Sequence, residues 1–406
     1  MIEKLGARGD GLAMVDGKPI YIPYTVPNDK VEISFRGERG TVRSILNAGP
    51  DRVTAPCNYY GTCGGCLMQH VSEQLYMGWK RDIVVSALRR EGFDEDVIVP
   101  LQHCTPASRR RAQFAIRKTK DTVLFGFNER GSSALTEISE CIVLAPELDA
   151  AIHGLKAIAT ATPSQWRKFD MMATLCDNGI DVSITGGDAD EDDLGASLAT
   201  LVEVARENNF IRLSIDDAPV VVFSEPVVRF GAVDVSIPPG VFLQASREGE
   251  QRLIDLVVPY LAAAKRVADL FSGCGTFSFA VDAHVDAFDI AGPAIEALEI
   301  AARRSNLRHP TKAHRRNLFD RPLLPAELNS YGAVIFDPPR AGAQAQSAQL
   351  AKSNVPIIIG VSCNPTSFAR DAAILREGGY ELSHVTPVDQ FVYAAHVELV
   401  GVFRKG

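Results

Sequence analysis

The stretch Asp269-Leu270-Phe271-Ser272-Gly273-Cys274-Gly275-Thr276-Phe277 decides the fold class. An apolar run, 266–271, carries an acidic residue near its end and passes into a turn with two glycines. Gly273 and Gly275 let backbone N–H groups approach a ligand at the switch point of a parallel sheet. A nicotinamide dinucleotide site asks for a third glycine at position 278, where Ser278 stands. An Asp ahead of G-x-G suits S-adenosyl-L-methionine (SAM) better, because the sulfonium cation gains from a nearby carboxylate. Twenty residues beyond Asp269, Asp289 follows the next strand and is placed to hold ribose hydroxyls. A bare G-x-G reads equally well as an ordinary tight turn; Asp269, Asp289 and the strand context turn the reading towards a nucleotide-type cofactor.

Outward from that turn, helices and strands alternate regularly from about Val241. The apolar runs 266–271, 285–290, 333–336 and 356–361 are separated by helical stretches, the spacing of βαβ units and a parallel sheet. The tail, 381–385 followed by 396–403, reads as a closing antiparallel pair. Towards the N-terminus the pattern changes. Pro19-Ile20-Tyr21-Ile22-Pro23, Val31-Glu32-Ile33-Ser34-Phe35 and Thr41-Val42-Arg43-Ser44-Ile45 alternate between turn residues, as in a small β-barrel. Leu75, Trp79, Ile83, Val84, Ala87 and Leu88 follow a helical period that Gly92 closes. Residues from about 100 to 235 mix β-rich runs such as 220–223 with helical ones such as 150–159, a central α+β region.

The chain has 406 residues, 46% hydrophobic and 23% charged, enough for two or three domains at about 150 residues each. Met1-Ile2-Glu3-Lys4 leads into glycine and charge, and no apolar stretch nears the ~18 residues of a spanning helix. No membrane association is expected, and a reducing, cytoplasmic setting is. Eight cysteines are too sparse for a disulfide scaffold, so clustered ones read as ligands or nucleophiles. A net charge of −8 argues against holding nucleic acid by bulk electrostatics. Much of the acid lies in Asp181, Asp188, Asp190, Glu191, Asp192 and Asp193, beside Gly186 and Gly187, which reads as a solvated loop. Two stretches lean the other way: Arg109, Arg110, Arg111, Arg117, Lys118 and Lys120, then Arg303, Arg304, Arg308, Lys312, Arg315 and Arg316 with His309 and His314. Each reads either as a phosphate-facing patch or as a solvated face.

Three further signals carry chemistry. Asp337-Pro338-Pro339-Arg340 follows the run 333–336, so its carboxylate falls at the C-terminal sheet edge where α/β sites are built; the plain alternative is a Pro-rich turn with a capping Asp. Ser362-Cys363-Asn364-Pro365 ends the next strand at the same edge, a place that favours a nucleophile over a structural thiol. Cys57-x5-Cys63-x2-Cys66, flanked by Gly61, Gly64 and Gly65, lacks the second pair that structural zinc takes and is closer to iron-sulfur spacing. Cys104, Cys141 and Cys176 are candidates for a fourth ligand, and spacing does not choose among them. Free loop thiols are the plain alternative.

In this order, over nearly the whole chain, the elements resemble the RNA 5-methyluridine methyltransferase family, in its iron-sulfur 23S ribosomal-RNA branch. Gly6-x2-Gly9-x-Gly11 with the barrel pattern resembles a TRAM domain; Cys57, Cys63-Gly64-Gly65-Cys66 and Gln69-His70 match the cluster motif, and Cys141 in Glu140-Cys141-Ile142-Val143-Leu144 the fourth ligand. The resemblance implies a TRAM-like barrel over 1–50, a central region with a 4Fe-4S cluster over 51–235, and a Rossmann-like class I SAM-dependent domain over 236–406. It implies SAM contacts at Gln244, Phe271, Gly273, Gly275, Thr276, Asp289, Asn317 and Asp337. It also implies Asp337 facing the uracil, Cys363 as nucleophile and Glu398 in His396-Val397-Glu398 as base, with RNA, ribosomal before transfer, as partner to a monomer.

Uracil carbon 5 is a poor nucleophile, so a thiolate must first add at carbon 6, and a base must later remove the carbon 5 proton. A free thiol has a pKa of about 8.5, so the site must favour the anion or deprotonate the thiol as it attacks. Two positions depart from the family. Thr276 stands where Asn is common, and Val392-Tyr393-Ala394-Ala395 replaces a Pro-containing form; His396 is read as structural. A cytosine-5 methyltransferase would carry Pro-Cys-Gln, which is missing, and a non-catalytic iron-sulfur RNA-binding module would need none of Asp337, Cys363 and Glu398. A redox enzyme is disfavoured by the missing third glycine.

Overall fold

The structure, a computed structural model, describes residues 1–187 and 191–406. Its largest described sheet has eight strands in the order Thr311–Arg315, His284–Asp289, Arg266–Leu270, Ala333–Phe336, Ile357–Ser362, Glu398–Lys405, Tyr380–Asp389 and Gln102–His103. The first five run parallel, with Val267 opposite both Val285 and Ala333. Such strands are buried on both faces, which is why they read as apolar runs without alternation. Leu270, Val334, Phe336, Ile358 and Leu399 pack with Phe368 and Leu375 of the helix Pro365–Glu377 on one face. Val267, Val285, Ile335, Ile359 and Val400 pack with Leu253 and Val257 of the helix Arg247–Val257 on the other.

The expected closing pair is antiparallel, but its order matters. Glu398–Lys405 inserts between Ile357–Ser362 and Tyr380–Asp389, with Leu399 opposite Ser362 and Glu398 opposite Val388. His396, expected inside this strand, precedes it. Thr311–Arg315 was read only as part of a basic stretch; it is the edge strand, and Lys312, His314 and Arg315 break the apolar signal while protecting an open edge from further pairing.

Segments from the first quarter of the chain complete this sheet. The helix Glu73–Arg90 is capped by Ser72, whose Oγ accepts from Leu75 N, and Gly92 leaves it at φ +77°. Val84, Val85, Ala87 and Leu88 bury against Phe368, Ala369 and Leu375. Gln102–His103 then pairs parallel with Val388 and Asp389.

The remaining strands form two further sheets and a hairpin, Val227–Phe230 with Val233–Ser236. Near the N-terminus five strands pair in the order Lys4–Leu5, Gly11–Val15, Lys18–Ile22, Arg39–Asn47 and Lys30–Arg36 around Ile2, Ala13, Ile20 and Ile22. The central sheet has seven, in the order Ala218–Val222, Phe210–Ile215, Gly179–Thr185, Lys168–Cys176, Arg111–Lys118, Val123–Asn128 and Leu135–Glu137. The helices Ile152–Ala161 and Glu191–Glu207 cover one face of it.

Three charge readings change. Asp181 is no loop residue: it is 4% exposed in Gly179–Thr185, held by Arg212 through two bonds of 2.8 Å. Asp188 and Asp190 lie outside the described residues. The first basic stretch is largely spent inside the fold. Lys118 donates to the carbonyls of Ala159 and Thr162 at the C-terminal end of the helix Ile152–Ala161, and Arg110, 1% exposed, reaches Glu250 at 2.6 Å and the Gln244 carbonyl at 3.1 Å. In the second stretch Arg303, Arg308 and Arg316 pair with Glu299, Asp282 and Glu327.

Gly360 and Gly401 face each other across Ile357–Ser362 and Glu398–Lys405. A Cβ on Gly401 would lie 2.3 Å from Phe368 Cζ, and one on Gly360 2.9 Å from Phe336 Cζ, so the missing side chains make room for the rings. We predict that Gly401→Ala destabilises the protein by about 1–3 kcal/mol and that Phe368→Leu in the same chain recovers part of the loss, measured by denaturant unfolding.

Candidate active site

A parallel sheet delivers all its strand ends to one edge, and here those ends carry the residues singled out in the sequence. Arg266–Leu270 runs into Phe271 and the Gly273-Cys274-Gly275-Thr276 turn; His284–Asp289 ends at Asp289, Ala333–Phe336 at Asp337 and Ile357–Ser362 at Cys363. Asn317 follows Thr311–Arg315. Glu398 reaches the same edge because its strand runs the other way and begins there.

On the side of the glycine turn, Phe271 sits at φ +63°, a conformation costly for a branched or aromatic residue. Its N–H and that of Ser272 donate to the Phe288 carbonyl at 2.8 and 3.1 Å, which pins the turn to the neighbouring strand. Asp289 accepts from Gly273 N at 2.9 Å and from Ala291 N at 2.8 Å. Asp269 is fully buried: Ser278 Oγ donates to its Oδ2 at 2.5 Å, while its Oδ1 and the Ser272 hydroxyl are buried with no partner in the protein. Burial pushes the Asp269 carboxyl up to about 7. Orphaned polar atoms beside a glycine turn fit a bound polar ligand. Asn317 spends its amide locally, donating to Asp320 and accepting from Phe319 N.

Around Cys363 four segments meet. Gln244 Nε2 donates to Asp337 Oδ2 at 3.2 Å, and Gln244 Oε1 accepts from Gln390 Nε2 at 2.8 Å. The Gln390 amide also acts on Glu398, where it partly opposes the effect of burial on that carboxyl. Burial raises both the Asp337 and Glu398 carboxyls, and the nearby charge of Asp337 raises Glu398 further. Two buried carboxyls so placed do not both ionise easily near neutrality. Burial, then the charges of Glu398 and Asp337, push the Cys363 thiol up to about 11, so its resting form is the thiol. Asn364 caps the helix Pro365–Glu377 and donates to the Arg340 carbonyl at 2.9 Å, tying the two loops together.

Sequence reasoning missed two contributors. Gln390 is one, since an amide gives no spacing signal. Arg110, read as part of either a phosphate-facing patch or a solvated face, is neither: it holds the Gln244 carbonyl from within the protein.

Away from this edge, Cys57, Cys63, Cys66 and Cys141 line one cavity of about 240 Å³ with Gln69, Arg109 and Val392. Cys104 and Cys176, the other candidates, are buried elsewhere. Asn58 donates to Glu140 at 3.0 Å, and the Tyr59 and Ser139 hydroxyls meet at 2.9 Å, which docks the loop of Cys57 on that of Cys141. Among the described residues no three His, Cys, Asp or Glu side chains close on a point suited to one metal ion. Burial pushes Cys66 up to about 12 and Cys141 up to about 11, and Gln69 Nε2 is buried without a partner. Thiols raised in this way need a cationic group beside them to become thiolates.

A sequence profile described as tRNA (uracil-5-)-methyltransferase matches residues 239–405. An RNA methyltransferase of Brucella suis is 42% identical over 100% of this chain and 97% of its own length. The 23S rRNA (uracil(1939)-C(5))-methyltransferase RlmD of Vibrio vulnificus is 27% identical over 100% and 95%. Among solved structures, the tRNA (uracil-54, C5)-methyltransferase of Pyrococcus abyssi, in complex with S-adenosyl-L-homocysteine, shares the fold with a TM-score of 0.72 at 22% identity, over 99% of both chains. With relatives of this identity along its whole length, the chain belongs to a family of RNA methyltransferases, and its residues 239–405 match the tRNA (uracil-5-)-methyltransferase profile.

Proposed function

We propose that the protein methylates carbon 5 of a uridine in RNA, with 23S ribosomal RNA as substrate, through a covalent bond between Cys363 and carbon 6. The observation that carries this reading is the convergence of Asp337, Cys363 and Glu398, from three strands, on one edge beside the glycine turn. The RlmD relative supports ribosomal over transfer RNA.

Phe271, Gly273, Gly275, Thr276, Asp289 and Asn317 would hold SAM, with Asp269 close behind the turn. When bound, SAM supplies an electrophilic methyl group. Asp337, steadied by Gln244, faces the N3 and O4 edge of the uracil; the Gln244 amide, committed to Asp337 and Gln390, orients the carboxyl rather than the base. The Cys363 thiol releases its proton to solvent as Sγ adds to carbon 6, since no standing thiolate is favoured at this site, and the enolate left at carbon 5 takes the methyl. Once carbon 5 carries the methyl, ionised Glu398 takes the proton from that carbon and Sγ leaves carbon 6. Burial fits Glu398 to this task by keeping its basicity well above that of a solvated carboxylate.

Cys57, Cys63, Cys66 and Cys141 would hold a 4Fe-4S cluster, the group that four thiols around one cavity fit. Methyl transfer moves no net electrons, so the cluster is assigned a structural or RNA-positioning role. The N-terminal five-stranded sheet serves as the TRAM-like barrel, residues 1–50, with exposed Phe35, Arg36 and Arg43 offering stacking and cationic groups to RNA.

Three outcomes test this. Cys363→Ala should abolish methyl transfer and any protein–RNA adduct, whereas Glu398→Gln should accumulate a denaturation-resistant adduct bearing the methyl, visible on denaturing gels with radiolabelled SAM and unmodified 23S transcript; normal turnover by Glu398→Gln would remove it from the mechanism. The second outcome follows from burial. Because the folded protein resists ionising Glu398, its stabilising contribution is full below the ordinary carboxylate range and is lost as pH rises towards the raised folded value. Glu398→Gln should therefore melt higher than the parent at about pH 8, with a smaller gain at about pH 5. Third, anaerobically purified protein should be brown, with iron and acid-labile sulfide that Cys66→Ala loses; stoichiometric zinc without iron would sink the cluster assignment.

A further inference from the structure

Lys80 is fully buried, an unusual state for an ammonium group, and the chemistry above does not use it. It lies in the helix Glu73–Arg90, far in sequence from the catalytic edge. An ammonium has three N–H donors, and all three find acceptors here: Asp389 Oδ1 at 2.7 Å, the Phe391 carbonyl at 3.2 Å and the His396 carbonyl. Two of these acceptors, Phe391 and His396, lie in the loop 390–397, and the third, Asp389, ends the strand Tyr380–Asp389 from which that loop leaves before it returns as Glu398–Lys405. Its first residue is Gln390, and the residue that follows it is Glu398.

The anchor is completed on the other side of the ion pair. Asp389, also fully buried, accepts from Tyr76 Oη at 2.6 Å and meets His103 Nδ1 at 3.1 Å. Tyr76 Oη in turn accepts from Tyr393 N at 2.9 Å, near the middle of the loop, where Tyr393 is held at φ +63°. The loop is thus gripped at its start, middle and end by one turn of a distant helix. With its three hydrogens spent, Lys80 has none left to offer a substrate.

We infer that Lys80 is a positioning residue for methyl transfer: by binding both arms of the loop 390–397 it fixes the Gln390 amide and the Glu398 carboxyl against Cys363. The inference rests on the assignment of Glu398 as the base that releases the RNA. A lysine is suited to the task because a compact, three-donor head can satisfy diverging carbonyls, while the planar arginine fork cannot.

The test uses the full-length protein. Lys80→Met removes the donors but strands a buried carboxylate, so the double variant Lys80→Met/Asp389→Asn, neutral at both positions, is made beside it. In the double variant hydrogen–deuterium exchange should rise in 391–398 while the helix Glu73–Arg90 stays protected. On unmodified 23S transcript, turnover should fall by about 10- to 100-fold with KM little changed. The methylated adduct should accumulate as it does for Glu398→Gln, a signature that simple loss of folded protein does not give. Parental protection of the loop overturns the inference, and so does a loosened loop with parental turnover. A parent that transfers no methyl to the transcript refutes the proposed substrate instead, and loop exchange then still decides whether Lys80 holds the loop.

Discussion

The site depends on one reversal of chain direction. Five parallel strands can bring only strand ends to their shared edge, and those ends supply a glycine turn, an acid and a thiol. A further group facing the thiol must come from a strand that starts at that edge. The antiparallel insertion of Glu398–Lys405 beside Ile357–Ser362 meets this requirement, and it places Leu399 opposite Ser362 so that Glu398 and Cys363 become neighbours. The close fit that follows is visible in the Gly360–Gly401 pair: two side chains are given up to let Phe336 and Phe368 fill the space behind the edge.

Desolvation then sets the chemistry. Asp269, Asp337 and Glu398 are all raised by burial, and Cys363 with them, so this edge holds protons that solvated groups would release. Such an arrangement costs stability, and behind these groups lie buried pairs that hold them in place. Arg110 with Glu250 supports the Gln244 backbone, and Lys80 with Asp389 supports the loop before Glu398. Buried pairs like these are weak net contributors to stability, and their value here is geometric.

How much of this was legible in the sequence follows from range. The glycine turn, the apolar strand runs and the amphipathic helix are local patterns, and each reappears within a residue or two of its expected place. The convergence of Asp337 and Cys363 could be read because a parallel sheet makes strand ends meet, and that of the four cysteines rested on a family resemblance. What remained hidden was pairing at a distance. Nothing near Lys80 announces a partner 309 residues later, and nothing near Arg110 distinguishes a buried guanidinium from a phosphate contact. Asp181 was misread for the same reason: it was grouped with the acids of 188–193, although it stands between Ile180 and Val182 and its partner Arg212 lies on another strand. The edge strand Thr311–Arg315 was missed because its polar residues serve the sheet's open side.

The share of the catalytic sheet contributed by the first quarter of the chain has a consequence for biosynthesis. The helix Glu73–Arg90 and the strand Gln102–His103 leave the ribosome long before the strand that receives them exists. Until Tyr380–Asp389 has been made, Lys80 has no anion, and the apolar stripe of Val84, Val85 and Leu88 has no Phe368 to cover it. Nascent protein therefore carries an exposed hydrophobic helix through most of its synthesis, the state that chaperones recognise. Its closure pairs Lys80 with a residue 309 positions away, the kind of non-local contact whose closure slows folding.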